Sequence, residues 1–136
     1  MNVRYLLDTN IASYAIKKRY PAVDQHLERI GEAQVAISAI TEGELRFGLA
    51  RQKEAHRLKA VTEEFLARVE ILAWDSAAAG AYGDLRAQLE ARGEPVDALD
   101  LLIAAHAISA ELILVTHDHV FARVKHLRIE DWTRTQ

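Results

Sequence analysis

The sequence predicts one α/β domain of three layers, α/β/α, around a central, mostly parallel sheet. Three observations carry this. Short apolar runs alternate with helical patterns along the chain, which is the order of a parallel sheet with helices on both faces. The two most convincing strands, Val3–Leu7 and Leu112–Thr116, are each closely followed by an aspartate, Asp8 and Asp118. Open α/β sheets build their sites at that end of their strands. The length, 136 residues, suits a single domain spanning 1–136, large enough to bury roughly 68% of its unfolded surface.

The elements follow in order. Val3–Leu7 is apolar apart from Arg4 and reads as a buried strand. Ile11–Arg19 is helical, and Pro21 starts the next helix in the favoured first-turn position, with Gly31 near its end. Gln34–Ser38 is a short β-rich run, and Ser38 or Thr41 caps a helix reaching about Arg51. Lys53–Arg68 is a charged amphipathic helix, with Leu58, Val61, Phe65 and Val69 at helical spacing. Val69–Leu72 is a further short apolar run. Asp75 caps an Ala-rich helix ending at Gly93, and Gly93-Glu94-Pro95 is the clearest loop. A nearly all-apolar helix covers Ala98 to Ala110. Strand Leu112–Thr116 precedes a short helix or turn over Val120–Val124 and a last edge strand over Leu127–Ile129. Thr133–Gln136 are expected to be loose.

Composition narrows the chemistry. The absence of cysteine excludes disulfides, thiolate catalysis and zinc ribbons, and points to a cytoplasmic home over a secreted one. No apolar stretch approaches a membrane span, and the run at the start is far too short for a signal peptide. The formal charge of −3 argues against a generic basic glove for nucleic acid. Neutralising four acids with metal gives −3 + 4 = +1 for the remainder, so net acidity weighs little against such a substrate. No nucleophile elbow, P-loop or dinucleotide glycine motif is present.

Four acids stand in comparable settings: Asp8, Glu44, Asp100 and Asp118. Each also has a purely structural reading. Asp8 can cap the following helix, but Thr9 and Asn10 are equally capable caps. Thr41-Glu42-Gly43-Glu44 matches a capping box; with Ser38 as the cap, Glu44 instead lies in the second turn and projects toward the sheet end, on a face shared with Phe47 and Gly48. Asp100 opens the apolar run Leu101–Ala105, where an acid is rarely buried without a partner. The helix dipole favours an anion at that position. Asp97, one turn earlier, competes for the role. Asp118 can be a turn or cap residue. Its neighbours His117 and His119 suggest zinc, but adjacent side chains diverge and zinc needs converging ligands. His106 reads as a satisfied core histidine, and His26, His56 and His126 as solvated.

Bare carboxylates about 4 Å apart repel by about 4 kcal/mol per pair at an effective dielectric near 20. Four together imply protonation or a hard cation, for which oxygen donors select Mg²⁺ or Mn²⁺. Such ions activate water against phosphodiesters.

These residues give the chain a family resemblance. Leu6-Leu7-Asp8-Thr9-Asn10, Ser38-Ala39-Ile40-Thr41 with Glu44-Leu45, the segment Pro95–Ala107 around Asp100, Leu114–Asp118 and Leu127–Trp132 occur in the order and spacing of PIN-domain nucleases. The chain resembles in particular the VapC-type ribonuclease toxins of toxin–antitoxin pairs. The resemblance implies a PIN-like domain that cleaves RNA with Mg²⁺ or Mn²⁺ held by Asp8, Glu44, Asp100 and Asp118, supported by Thr9, Asn10 and Thr116. It further implies a homodimer and a VapB-type antitoxin whose tail crosses the acidic pocket, with DNA reached only through that antitoxin. Asp97 stands where many relatives have Gly, and His117 where they often have Asn or Arg. Two other readings are an Asp8 phosphotransfer domain, which expects an acid at Asn10, and a degenerate, non-catalytic RNA-binding module.

Overall fold

A computed structural model describes residues 2–52 and 54–134. It contains a five-stranded, all-parallel sheet: β1 (Tyr5–Leu7), β2 (Val35–Ser38), β3 (Glu70–Leu72), β4 (Ile113–Val115) and β5 (Ile129–Glu130), in the spatial order β3-β2-β1-β4-β5. Six α-helices connect them: α1 (Thr9–Lys17), α2 (Pro21–Ile30), α3 (Ala39–Arg51), α4 (His56–Arg68), α5 (Ser76–Ala91) and α6 (Ala98–Ser109). The expected α/β/α architecture is the one observed.

The central strands are buried on both faces, so alternation in direction divides a continuous apolar run between two cores. Tyr5, Leu7, Val35, Ile37, Ile113 and Val115 face one side, with residues of α1, α2 and α4. Leu6, Ala36 and Leu114 face the other, with α5 and α6. The chain order folds β1, β2 and β3 outward in one direction and then returns β4 to the opposite side of β1. The strand order therefore reverses between β1 and β4, which register Leu7 against Val115. Ligands of open α/β sheets bind at the carboxyl ends of strands at such a reversal. Asp8 and Thr116 are the next residue on each strand. Asp8 donates its amide to the Val115 carbonyl at 3.0 Å, which prolongs the ladder up to the site.

The helix signals act mostly as their chemistry demands. Pro21 occupies the first turn of α2, Ser38 accepts from the Ile40 amide at 3.1 Å, and Asp75 accepts from Ala78 at 3.0 Å. α4 begins later than expected, at His56 behind a poor cap, Ala55; Lys53, the expected first residue, lies outside the described residues. β5 is displaced to Ile129–Glu130, after His126 turns the chain with φ of 68°.

Two expectations fail at the C-terminus and at His26. Thr133 is held, not loose: its amide and hydroxyl both donate to Asp131, at 2.9 and 2.6 Å. Thr135 and Gln136 lie outside the described residues. His26 is buried instead of solvated. Its ring stacks on Trp132 with centroids 5.3 Å apart and an angle of 7°, and its Nε2 donates to the Arg134 carbonyl at 3.1 Å. Trp132 also packs on Tyr5 at 5.1 Å. The terminal segment is thus pinned to the core by partners more than a hundred residues away.

Candidate active site

Asp8 ends β1 in a buried position. It carries the structural duty that sequence reasoning withheld from it: Oδ1 accepts from the Ile11 amide at 2.8 Å and caps α1. Neither Thr9 nor Asn10 is the cap, because the chain is still extended at Asp8 and already helical at Thr9. Capping occupies Oδ1. Burial pushes the Asp8 carboxyl up, hydrogen bonds from Thr116 and Ile11 oppose this, and the charges of Asp118 and Asp131 add to it.

Glu44 projects from the second turn of α3. Ser38, not Thr41, caps that helix, so no capping box forms. Glu44 Oε1 accepts from the Thr9 hydroxyl at 2.7 Å. Thr41, fully buried, lies 3.2 Å from the same hydroxyl oxygen. A hydroxyl has one proton. Thr9 gives its proton to the carboxylate, so Thr41 donates to Thr9. This Thr41–Thr9–Glu44 chain fixes the acid across the α1–α3 contact. Phe47, expected to share a covered face with Glu44, is instead 62% exposed.

Asp100 is the third residue of α6 and half-buried. Among the described residues its carboxylate has no hydrogen-bond partner. Its pKa is raised to about 6 by burial first, then by the charges of Asp118, Asp97, Asp8 and Glu44. The helix dipole, worth about 0.3–1 kcal/mol, opposes this and loses. Asp97 precedes α6 without capping it and is exposed, so it adds charge at the rim.

Asp118 is exposed and caps a 3-10 turn over His119–Arg123, with Oδ1 accepting from Val120 at 2.9 Å. Its amide donates to Thr116 Oγ1 at 3.0 Å. Thr116 thereby links the Asp118 loop to Asp8. Asn10 is exposed at the site's edge and makes no side-chain hydrogen bond among the described contacts.

Sequence reasoning missed Asp131 and the duty of His117. His117 Nδ1 donates to Asp131 Oδ2 at 2.8 Å beside the Asp118 loop. Burial pushes the Asp131 carboxyl up, but Thr133 and His117 outweigh it and hold the group low. Only the pairing of β4 with β5 brings them together, so no local pattern signals it. His117 and His119 do not converge, their rings standing 6.3 Å apart. His106 is the expected core histidine, buried and 2.9 Å from Ser38 Oγ.

The donor set is therefore all oxygen: three carboxylates each anchored through one oxygen (Asp8, Glu44, Asp118) and a fourth, Asp100, unanchored. Among the described residues no three acidic or histidine side chains converge tightly enough to enclose an ion as they stand. The raised pKa of Asp100 reflects its burial first and the repulsion of its acidic neighbours second. Carboxylates so placed fit a hard divalent cation, which would relieve the repulsion.

Residues 5–127 match the family model described as PIN domain. The chain is 39% identical to the tRNA(fMet)-specific endonuclease VapC of Shigella flexneri, over 96% of this chain and 99% of that protein. Its fold is similar to that of VapBC2 from Rickettsia felis bound to a promoter DNA fragment, with a TM-score of 0.88, 36% identity, and coverage of 96% and 99%. It is likewise similar to DNA-bound VapBC from Salmonella typhimurium, with a TM-score of 0.89, 36% identity, and coverage of 96% and 98%.

Proposed function

The chain belongs to the PIN-domain family, among its VapC-type members, and from that footing we propose that it is a metal-dependent endoribonuclease acting as the toxin of a VapBC-type pair. The carrying observation is the gathering of Asp8, Glu44, Asp100 and Asp118 beside the reversal of the sheet, in a chain 39% identical to a protein named as an endonuclease. Such a charge arrangement is costly unless a cation uses it.

Asp8, Glu44, Asp100 and Asp118 would hold Mg²⁺ or Mn²⁺. When bound, that ion supplies an activated water and charge neutralisation at a phosphodiester. The chain's own residues prepare the site. Thr41 and Thr9 orient Glu44, Thr116 and the α1 amide orient Asp8, and α6 carries Asp100 in from the opposite helical layer. Asp100 must lose its proton to serve as a ligand, which makes loading weaker below about pH 6. Asp118, exposed, would serve a second ion or its water.

The substrate class to test first is tRNA, since a relative of 39% identity is named as a tRNA(fMet)-specific endonuclease. Single-stranded loops are the physical expectation, because paired A-form RNA hides its base edges. The partner is a VapB-type antitoxin, as in the similar VapBC structures, and DNA is reached through it. A homodimer is part of the same reading. An antitoxin arginine can fork onto the carboxylates in place of the ion.

The test is cleavage of tRNA and total RNA by the purified chain in Mg²⁺, in Mn²⁺ and in excess EDTA, beside Asp8→Asn. Metal-dependent product ends that vanish in the variant are expected. Cleavage undiminished by EDTA overturns the metal chemistry. RNA binding without cleavage in any metal leaves the degenerate module as the answer.

A further inference from the structure

Phe47 sits one helical turn beyond Glu44 on α3 and stays 62% exposed, the most exposed of the described large apolar side chains. Such a ring forgoes the benefit of burial. The Arg51 guanidinium, a further turn along, lies 4.9 Å from its centroid. Arg51 also borders a groove that begins at Thr9 and Glu44 and runs between α1, α3 and α4, with Asn10, Ser13 and Lys17 on its α1 wall.

The charge changes along this groove. Its inner end is carboxylate. At its outer end are two cations, Lys17 and Arg51, and among the described residues neither has an acidic partner within 4.0 Å. Arg46, one residue before Phe47, is by contrast tied to Glu42 at 2.9 Å and Glu63 at 3.4 Å. Unpaired cations beside an acidic pocket suit a polyanion, since the phosphates that lie beyond the carboxylates need direct positive charge. An exposed aromatic ring beside them suits a base that is not paired.

We propose that this groove is the track for the substrate strand: Phe47 stacks an unpaired RNA base next to the cleavage point, and Lys17 and Arg51 hold the phosphates that follow. The assignment rests on the ribonuclease reading above. It accounts for the exposure of Phe47, which stands outside the groove's lining and adjoins it through the stacked Arg51, and for the change of charge along the groove.

The experiment is fluorescence anisotropy of the full chain with a fluorescein-labelled single-stranded RNA oligonucleotide, Ca²⁺ replacing Mg²⁺. Cleavage by each variant is measured in parallel in Mg²⁺. Phe47→Leu keeps an apolar side chain and removes the π-face; it weakens binding by about 5- to 150-fold, while Phe47→Tyr retains it. Lys17→Ala and Arg51→Ala each lower the slope of log affinity against log salt by about 0.7. Binding by Phe47→Leu equal to wild type, with both slopes unchanged, overturns the proposal. So does a loss of dimer in sedimentation by Phe47→Leu at unchanged RNA affinity, which would make the ring a contact between copies. Wild-type protein that neither binds nor cleaves RNA removes the ribonuclease reading itself; wild-type cleavage matched by every groove variant removes the groove alone.

Discussion

Asp100→Asn should stabilise the metal-free protein while abolishing its activity. In the folded chain this carboxyl titrates at about 6, against an ordinary value of 3.8. The folded state therefore holds its proton more tightly than the unfolded state does. The associated stability is fully present below pH 3.8 and is lost as pH rises to about 6. Above that the charged side chain is a net burden. A carboxyl that keeps its proton over roughly two further pH units would carry about 3 kcal/mol if water did not screen it. Asp100 is only half-buried, and solvent removes part of that, so about 1–2 kcal/mol is the working figure. Asparagine keeps the shape and removes the charge. In EDTA at about pH 8 the variant should melt about 3–8 °C higher than wild type, from the usual scaling for a chain of this size. At about pH 4, where wild-type Asp100 is neutral in the folded state, the two should nearly coincide. Adding Mg²⁺ should raise the wild-type melting temperature and leave the variant's almost unmoved. Calorimetry at the two pH values, with and without metal, reads all of this. A variant less stable than wild type at the higher pH in EDTA, or a gain equal at both pH values, would refute the raised pKa of Asp100 and the burden its buried charge places on the fold.

Three further outcomes follow from the same geometry. Asp8→Asn and Asp8→Ala should both lose cleavage, but urea unfolding should show the alanine variant about 1 kcal/mol less stable than the asparagine one, because only asparagine can still cap α1; equal stability would mean that the cap is idle. Thr9→Val cuts the link to Glu44 and should lower kcat roughly 10- to 100-fold with an unchanged circular dichroism spectrum, the usual effect of losing a group that orients a metal ligand. Trp132→Ala removes a fully buried ring from between Tyr5 and His26 and should cost about 3–5 kcal/mol in denaturant titration; a loss below about 1 kcal/mol would show that the terminal segment is not anchored as described.

The sequence alone determined what depends on neighbours along the chain. Val35–Ile37 and Ile113–Val115 are continuous apolar runs rich in Val and Ile, as strands covered on both faces require, and that pattern needs no knowledge of the partner strand. Pro21, Ser38 and Asp75 act within two or three residues of themselves, so their helices start where local chemistry requires. The acids at strand and helix ends were visible for the same reason. The tertiary structure alone decided what those acids feel and what holds them. Thr9 meets Thr41 and Glu44 across 32 and 35 residues. His117 finds Asp131 only through β4–β5 pairing, and His26 is buried only because Trp132 and Arg134 return to it. The raised pKa of Asp100 needs its burial by the packed fold first, and then carboxylates brought near it from three other segments. Hydrogen bonds and Coulomb interactions act across space over a few ångströms, and the spacing of letters in a sequence carries no such distance until the chain has folded.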